Sequence, residues 1–426
     1  MLLLSFRTCL PAIALATAGC GIQILKQVQD DGLWIPSGVY PELDSRFRGN
    51  DRFGAGMTSY CMYPHAKYFH AFNSFNEQIG PVRFKKILGY FESAENAWKN
   101  GSAADFIKAG LEETLAREIV LKRPQMDLEK ELAKLDKENI GIMTLLDEDY
   151  PKLLKEIYDP PYIMYIKGQL KPEDDFAVAV VGTRRISPYG QQAAVHLTRD
   201  LAQAGLTIVS GLAQGADTLA HLAALEQKGR TLAVVGSSLD RQSIFPPANR
   251  YLAEKISQNG AVLSEYPLGS FALKHHFPAR NRIISGLSLG TLIVEAPERS
   301  GALLTARHSL EQNREVFAIP GSIYSVNSLG PNNLIKMGAK LVTSAQDILD
   351  ELNLKSLAAN IETRRIVPDT REEELILNML SQEPVAVDKI VQDTKLETAV
   401  VNSTLSLMEM KGKVRNLGGM QYVLAR

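Results

Sequence analysis

The sequence has few of the residues that build disulfide and metal sites. Its three cysteines, Cys9, Cys20 and Cys61, share no CxxC spacing and have no histidine at a metal-ligand spacing. A disulfide framework or a structural zinc site is therefore not expected. An excess of charge is also lacking, because 47 Lys and Arg oppose 48 Asp and Glu, for a formal net charge of −1. Bulk charge therefore cannot hold the protein on nucleic acid, and any phosphate site must be local.

The remaining composition is that of an ordinary globular protein. Hydrophobic residues make up 45% of the chain and charged residues 22%, which indicates neither a disordered nor a membrane-embedded protein. At about 150 residues per domain, 426 residues allow two to four domains. The first apolar run does not match an export signal, because Arg7 and Pro11 interrupt it. We therefore expect a cytoplasmic protein without a membrane segment.

The first part of the chain lacks regular periodicity. Residues 21–56 fit neither a helix nor a strand and carry turn-forming residues every few positions. The stretch LDSRFRGND resembles translated intergenic repeat DNA, and Met57 directly precedes the first periodic sequence. We expect translation to start at Met57, so that residues 1–56 are a disordered or mis-annotated extension.

Residues 57–150 have helical apolar spacing and predict a small helical domain. Within it, Gly80 and Pro81 separate two short helical patterns. This arrangement fits either the hairpin of a helix-hairpin-helix or SAM-like domain, or an ordinary corner between two helices. Residues 151–174 then predict an extended connector, because the prolines of YDPPYIMYIKG push the residues before them out of the helical region.

Seven apolar runs alternate with helix-length segments between residues 175 and 352. The runs are AVAVVG, TIVSG, TLAVVGS, AVLSEYP, GTLIVEA, EVFAIPG and KLVTS. Strands that are apolar on both faces and separated by single helices indicate a parallel sheet covered on both sides. We therefore predict an α/β fold with a doubly wound, Rossmann-like core and a binding site at the carboxyl ends of its strands.

The last part of the chain predicts a winged-helix domain. Residues 353–369 are polar and read as a linker, whereas residues 370–426 give three helices and a hairpin that turns at Gly418 and Gly419. The third helix has no basic residue between Glu397 and Met410. Residues 368–426 hold seven Lys and Arg against nine Asp and Glu. This charge balance favours contact with a protein over contact with DNA.

Two loops rich in small residues follow the first two strands of the predicted sheet. VVGTRRISPYG carries Gly182 and Arg184 before a helix amino terminus, where free amides and the helix dipole attract anions. The alternative is a tight turn at Gly182 with solvated arginines. SGLAQGAD follows the next strand, and its Gly211 and Gly215 allow a ligand to approach the backbone closely. Neither loop matches GxGxxG or GxxxxGK[ST], so spacing alone predicts no NAD or ATP site.

The segment KHHFPARNR combines Lys274 and two arginines with Phe277 and contains no acid. Cations that track phosphates, interleaved with a ring that stacks on a base, are typical of single-strand binding. The alternative is a basic helix start with a core phenylalanine. After the fifth strand, Ser300, Gly301 and Thr305 add a polar rim at the same edge of the sheet.

Support for catalysis is weak. His221, His275, His276 and His308 are scattered, and no serine lies in a GxSxG motif. Three acids at strand ends are candidates for a hydrolase, but no nucleophile accompanies them. These acids are Glu265, Glu295 and Glu298.

Taken together, these loops resemble the DprA (Smf) family of DNA-processing proteins. The motifs that carry the resemblance are VGTRRISPYG, SGLAQGAD, SEYPLG, HFPARNRIISGLS, VEAPERSGALLTARHSLEQNREVFAIPG and GPNNLIKMGA. The resemblance implies a SAM-like domain, a Rossmann-like core and a winged helix. It also implies binding of single-stranded DNA, a homodimer formed through the Rossmann-like domain, and loading of RecA during natural transformation. It implies no turnover and no cofactor.

The resemblance also implies a set of DNA-binding residues. They are Gly182, Thr183, Arg184, Ser210, Gly211, Lys274, Phe277, Arg280, Asn281, Arg282, Ser300, Gly301, Thr305 and Asn332. By motif, Arg184 and Lys274 would hold phosphates, Ser210 and Gly211 would supply hydrogen-bond donors, and Phe277 would stack on a base. The Arg-Asn-Arg segment would either touch DNA or anchor its loop.

Two other classes of protein compete with this interpretation. A Rossmann-like nucleotide hydrolase of the lysine-decarboxylase-like type also builds its site from strand-end glycines and arginines. That group needs a PGGxGT-type loop near a catalytic glutamate, and EAPERSGALLTA lacks it. A transcription regulator would need a basic third helix in the winged-helix domain, which this sequence does not have.

Overall fold

The strand Ala177–Val181 lies inside a sheet that is covered on both faces. In a computed structural model, which describes residues 64–75, 78–354, 368–380, 384–411 and 413–424, all five of its residues are buried. Ala179 and Val181 belong to one apolar cluster, and Val178 and Val180 belong to another. Because successive side chains of a strand point to opposite faces, this alternation places a core on each side of the sheet. The predicted doubly wound α/β core is confirmed.

The described residues form a nine-stranded sheet in the spatial order β1-β2-β6-β5-β4-β3-β7-β8-β9. The strands are Gly141–Thr144 (β1), Ile163–Gly168 (β2), Ala177–Val181 (β3), Thr207–Ser210 (β4), Thr231–Val234 (β5), Ala261–Ser264 (β6), Gly290–Ile293 (β7), Glu315–Ala318 (β8) and Lys340–Leu341 (β9). Strands β3 to β9 pair in parallel, whereas β1 and β2 are antiparallel at one edge.

The prediction of a connector over residues 151–174 is corrected in one respect. Its extended part forms β2, which pairs antiparallel with β6, and the preceding apolar run forms β1. The sheet of the α/β domain therefore begins at Gly141 and not near residue 175. Proline restriction predicts an extended backbone but gives no information about a hydrogen-bonding partner, and the partner strand follows only at Ala261.

Helices cover both faces of the sheet. The helices are Lys152–Lys155 (α7), Pro188–Gln203 (α8), Ala216–Glu226 (α9), Arg250–Asn259 (α10), His276–Gly286 (α11), Gly301–Glu311 (α12), Leu329–Lys336 (α13) and Ala345–Glu351 (α14). Buried residues of α8, α9 and α14 pack in one cluster, and buried residues of α7, α11 and α12 pack in the other. This two-sided arrangement keeps the carboxyl ends of the parallel strands free to carry loops.

A helical region precedes the sheet, as predicted. Its helices are Ala66–Asn73 (α1), Pro81–Phe91 (α2), Ala94–Asn100 (α3), Ala103–Lys108 (α4), Glu113–Lys122 (α5) and Leu128–Lys137 (α6). The ring of Phe84 on α2 stacks on Tyr162 with 3.9 Å between centroids. On α1, His70 Nδ1 lies 2.7 Å from the hydroxyl of Tyr165 on β2. The assignment of this region as SAM-like stays a prediction.

The carboxyl-terminal residues form a winged-helix domain with its own core. Its elements are Arg371–Met379 (α15), Val385–Ala386 (β10), Val387–Thr394 (α16), Thr398–Met410 (α17), Val414–Gly418 (β11) and Gln421–Leu424 (β12). Ile376, Ile390 and Leu405 are fully buried. Positive φ angles of 90° at Gly418 and 60° at Gly419 make the hairpin turn that the sequence predicts.

Two of the predicted segments cannot be compared with the structure. The extension 1–56 and most of the linker 353–369 lie outside the described residues. Among the residues that the structure does describe, no helix has both the length and the apolar character needed to cross a membrane.

Candidate nucleic-acid interface

The strand order reverses between β3 and β7. The chain leaving β3 continues to β4 on one side, whereas β7 lies on the other side of β3. In open parallel sheets, ligands bind beyond the carboxyl ends of the strands at such a point. Here a cleft of about 450 Å³ opens, lined by the loops after β3, β4 and β7, by α11 and α12, and by Asn327. We call it the switch-point cleft.

Nine of the predicted site residues line the switch-point cleft. They are Gly182, Thr183, Arg184, Phe277, Arg280, Asn281, Ser300, Gly301 and Thr305. These nine residues come from three motifs, and the fourth, SGLAQGAD, contributes Ala213 and Asp217 to the lining. Four motifs thus meet in one place, as the sequence predicts. Ser210, Gly211, Lys274, Arg282 and Asn332 are not part of its lining.

The loop after β3 is tightly packed against its neighbours. The Thr183 amide donates a hydrogen bond to the Glu295 carbonyl at 2.7 Å, and the Thr183 carbonyl accepts one from the Ala216 amide at 3.2 Å. A Cβ on Gly182 would lie 2.8 Å from the Cβ of Ala216, so only glycine fits there. The backbone is held while the side chain of Arg184 is exposed. The loop therefore presents a cation on a rigid support.

Glu295 fixes the far end of this loop. Its carboxylate, which is 1% exposed, accepts hydrogen bonds from the Ser187 amide at 2.8 Å and the Ser187 hydroxyl at 2.6 Å. The Asn327 side-chain amide donates to the same carboxylate at 3.3 Å and to the Arg185 carbonyl at 3.0 Å. We call the loop after β3 the arginine loop, because it carries Arg184 and Arg185. Glu295, a candidate acid from the sequence, is therefore engaged in holding the arginine loop.

Arg184 and Phe277 form the central contact of the cleft. The guanidinium carbon of Arg184 lies 5.4 Å from the centroid of the Phe277 ring, within the range of a cation–π contact. Phe277 also approaches Phe245, with 5.8 Å between ring centroids and an interplanar angle of 54°. The cation and the ring that the sequence assigned to phosphate and base are thus neighbours in space.

The amino terminus of α12 forms another wall of the cleft. The Ser300 hydroxyl caps the helix by accepting from the Ala302 amide at 3.3 Å. Beyond the position of a Cβ on Gly301 there is open space, so a ligand can approach the helix end closely. Such a helix end attracts phosphate through its free amides and its dipole.

Two predicted donors are used inside the protein. The Ser210 hydroxyl is fully buried and donates to the Val180 carbonyl at 2.6 Å. The Gly211 amide donates to the Asp217 carboxylate at 3.1 Å, and the Gly211 carbonyl accepts from Arg280 at 2.7 Å. The prediction that Ser210 and Gly211 donate to DNA is therefore corrected. They hold the loop after β4 in place.

Asp217 and Arg280 are a buried pair in the wall of the switch-point cleft. Burial raises the pKa of the Asp217 carboxyl to about 6, against the opposing effect of Arg280. Burial likewise lowers the pKa of the Arg280 guanidinium to about 10. Arg280 also donates to the Val234 carbonyl, at the end of β5. Arg280 therefore links the loop ends of β4 and β5.

The rest of the Arg-Asn-Arg segment is anchored in the same way. Arg282 binds both carboxylate oxygens of Glu265 at 2.7 Å and lies 3.1 Å from a carboxylate oxygen of Asp159. The Asn281 side-chain amide donates to the Gly301 carbonyl at 3.2 Å. Of the two roles that the sequence left open for this segment, these contacts favour the anchoring role.

Lys274 and Asn332 have contrasting positions. Lys274 is exposed in the turn that leads into α11, three residues before Phe277. The Asn332 side chain donates to the Gly321 carbonyl at 3.0 Å and accepts from the Gly321 amide at 3.2 Å. These two hydrogen bonds tie α13 to the loop after β8, and the DNA contact of Asn332 stays a prediction. Lys274 stays a predicted phosphate ligand.

Sequence reasoning missed two residues of this region. Asn327 comes from the loop after β8 and reaches Arg185, which lies 142 positions earlier in the chain. Phe245 lies in the loop after β5 and contacts Phe277. Neither belongs to a local motif, because each acts through a partner that only the fold brings near.

Comparison with known proteins identifies relatives of both parts. A family model for DNA recombination-mediator protein A matches residues 141–353, which include every residue lining the switch-point cleft, and a model for the DprA winged helix domain matches residues 362–420. The protein Smf of Synechocystis sp. is 36% identical over 380 residues, covering 81% of this chain and 95% of that protein.

Two further relatives come from Streptococcus pneumoniae. Its DNA processing protein DprA is 43% identical over 266 residues, covering 62% of this chain and 91% of that protein. An X-ray structure of DNA processing protein A from the same species superposes with a TM-score of 0.57 at 40% identity. That superposition covers 67% of this chain and 97% of the other.

Proposed function

Because the chain belongs to the DprA family of DNA recombination mediators, we propose that its switch-point cleft binds single-stranded DNA. The contact between Arg184 and Phe277 carries this proposal. A cation for the phosphate beside a ring for the base is the combination that sequence-tolerant single-strand binding requires. Duplex DNA keeps its bases paired and stacked, so the ring would find no base face to contact.

Cationic and dipolar groups continue around the cleft. Arg185 and Arg299 are exposed on its lining, and the amino terminus of α12 begins at Gly301. Lys274 is exposed just before α11. We propose that these groups guide the sugar-phosphate backbone past Phe277, which accounts for local phosphate binding by a chain without net positive charge.

Fluorescence anisotropy with a labelled single strand and the matching duplex tests this proposal. We expect a clear preference for the single strand, and an affinity that falls steeply as salt concentration rises, because phosphate contacts release counterions. Equal affinity for both forms, or binding without salt dependence, would contradict the proposed site.

We propose further that the bound strand is handed to RecA, as the family membership implies, and that this occurs in the cytoplasm during natural transformation or homologous recombination. The test is the ATP hydrolysis of RecA on single-stranded DNA coated with a single-strand binding protein. Addition of this protein should shorten the lag before hydrolysis. An unchanged lag, with DNA binding intact, would contradict the loading step alone.

A homodimer through the α/β domain is part of the proposal. Strand β9 is at an open edge of the sheet. Its own Leu341 is 43% exposed, and Met337, which precedes the strand, is 79% exposed. Apolar surface beside a free edge suits a second copy of the chain. Sedimentation should give a dimer for the natural sequence and a monomer for Leu341→Arg.

For the winged-helix domain we propose contact with protein. Helix α17 exposes Leu407 and Met410, and it carries no basic residue. The lysines that follow it are paired within the domain, since Lys411 and Lys413 both lie within 3 Å of the Glu373 carboxylate. These features suit an apolar protein surface better than a DNA groove.

A role in binding without turnover completes the proposal. Of the three strand-end acids that a hydrolase could use, Glu295 is engaged with Ser187 and Glu265 with Arg282, which leaves Glu298 exposed. Incubation with nucleoside monophosphates should therefore release no free base, and base release would favour the nucleotide-hydrolase alternative.

A further inference from the structure

A second phenylalanine lies beside the switch-point cleft. Phe245 is in the loop that joins β5 to α10, and its side chain is 44% exposed. Its ring centroid lies 5.8 Å from that of Phe277 at an interplanar angle of 54°. The loop leaves the carboxyl end of β5, so Phe245 is at the same edge of the sheet as the cleft. Two exposed or half-buried rings thus adjoin each other where DNA is proposed to pass.

The loop holds Phe245 firmly on both sides. Before it, Ser243 donates from its amide at 3.1 Å and from its hydroxyl at 2.8 Å to the Asp240 carboxylate. After it, the buried Asn249 side chain donates to the Leu212 carbonyl at 2.8 Å. The fixed backbone holds a half-exposed ring directly beside that of Phe277, so that two aromatic faces are positioned together before a ligand arrives.

We propose that Phe245 is a second base-stacking residue and receives the base next to the one on Phe277. This inference rests on the proposed single-strand binding. Single-strand grooves use aromatic side chains on which successive bases stack, and two tilted neighbouring rings provide two such faces. The guanidinium carbon of Arg184 lies 5.4 Å from the centroid of the Phe277 ring, so a phosphate bound by Arg184 would be close to a base stacked on Phe277.

The test compares two oligonucleotides of equal length and charge, an oligothymidylate and an abasic strand that has only sugars and phosphates. The ratio of their dissociation constants measures the contribution of the bases. Phe245→Leu should weaken thymidylate binding about tenfold, leave abasic binding unchanged, and leave the salt dependence unchanged, because stacking involves no phosphate. Phe245→Trp keeps an aromatic face and should keep the ratio of the natural protein.

A double variant separates direct stacking from mere support of Phe277. If Phe245 contacts its own base, Phe245→Leu weakens thymidylate binding further in a Phe277→Leu background. If Phe245 only holds the Phe277 ring in position, Phe245→Leu has no further effect on thymidylate binding in the Phe277→Leu background, and the proposal is wrong. Phe176→Leu is the matched control. Phe176 is 47% exposed, and it directly precedes β3, so it lies at the amino ends of the parallel strands and away from the cleft.

The remaining outcomes are also decisive. Natural protein that binds neither strand contradicts the proposed function itself. If Phe245→Leu binds the oligothymidylate as tightly as the natural protein does, only the assignment of Phe245 is contradicted. The same holds if the substitution weakens binding of the oligothymidylate and of the abasic strand by the same factor. Circular dichroism of each variant shows whether the fold is retained.

Discussion

The guanidinium of Arg184 lies over the ring of Phe277, with 5.4 Å from its central carbon to the ring centroid. One residue lies in the loop after the central strand β3, and the other lies near the start of α11. A cation over an aromatic face is stabilised by roughly 0.5–1 kcal/mol at an exposed site. The contact therefore positions both groups before any ligand arrives and makes them one binding unit.

Arg184→Ala should weaken single-strand binding and reduce its salt dependence. Loss of one phosphate contact lowers the slope of log affinity against log salt by about 0.7 for a single strand. Arg184→Lys should keep that slope, because the charge remains, while affinity falls with the loss of the planar guanidinium over Phe277. Anisotropy titrations at four salt concentrations give both quantities.

The control for this prediction is Arg117→Ala, which removes an exposed arginine from α5 in the helical region. It should change neither affinity nor slope. Lys274→Ala should behave like Arg184→Ala in the salt slope. If both cleft variants bind like the natural protein, the phosphate-binding site lies elsewhere.

Glu295→Ala should loosen the arginine loop. The substitution leaves the Ser187 amide and hydroxyl without the carboxylate that they donate to, and the Asn327 amide loses one of its two acceptors. Unsatisfied donors of this kind cost about 2 kcal/mol of unfolding free energy. Urea unfolding followed by circular dichroism measures the loss. A Glu298→Ala control, which removes an exposed acid nearby, should leave the unfolding midpoint unchanged.

Asp217 should make the protein less stable as pH rises from about 4 to 7. Burial raises the pKa of its folded-state carboxyl from 3.8 to about 6, so the folded protein binds the proton more tightly than the unfolded chain does. The stabilisation is therefore present at low pH and is lost through pH 6, by about 2 kcal/mol.

Asp217→Asn removes this titration. The difference in unfolding free energy between the variant and the natural protein should shift in favour of the variant by that amount between pH 4.5 and 7. Asp175→Asn, at a half-exposed aspartate, serves as the control. A constant difference for Asp217→Asn across this range would show that the folded carboxyl has an ordinary pKa.

The central part of this fold and the location of its site follow from local sequence signals. The run AVAVV is apolar at every position, which predicts that both faces of the strand are buried. The structure agrees, because Val178 and Ala179 belong to the apolar cores on opposite faces of the sheet. The loop after it combines Gly182 with arginines. Gly182 allows the tight packing of the loop and Arg184 is exposed in the cleft, so both roles follow from residues that are adjacent in the sequence. Parallel strands then bring such loops together at one edge.

Other features depend on distant partners. Ser210 has the residue type of a ligand donor, yet its hydroxyl is satisfied by the carbonyl of Val180 on the neighbouring strand. Strand β2 has an extended signal, yet its place in the sheet depends on pairing with β6. Phe245 belongs to none of the recognised motifs, and its ring contacts that of Phe277 only because the fold brings the loops after two different strands together. Local sequence carries no information about these pairings.

His70 should make the protein less stable as pH falls below about 6.5. Burial lowers the pKa of its folded-state imidazole to about 4, while the unfolded chain takes up a proton near 6.5. The unfolded state therefore binds more protons between these values, and stability that is complete above pH 6.5 is lost as pH falls toward 4. Between pH 7 and pH 5 the loss amounts to about 2 kcal/mol. The contact of its Nδ1 with the Tyr165 hydroxyl, at 2.7 Å, places this effect where the helical region meets the sheet.

Urea unfolding at pH 7 and pH 5 measures this effect through His70→Gln. The variant has no imidazole to titrate, so its unfolding free energy should change less between the two pH values than that of the natural protein, by about 2 kcal/mol. His196→Gln, on α8, is the control and should follow the natural protein. Because Asp217 is common to the natural protein and both histidine variants, its opposite pH dependence cancels from the comparison. An identical pH dependence for His70→Gln and the natural protein would mean that His70 is protonated in the folded state as readily as in the unfolded chain.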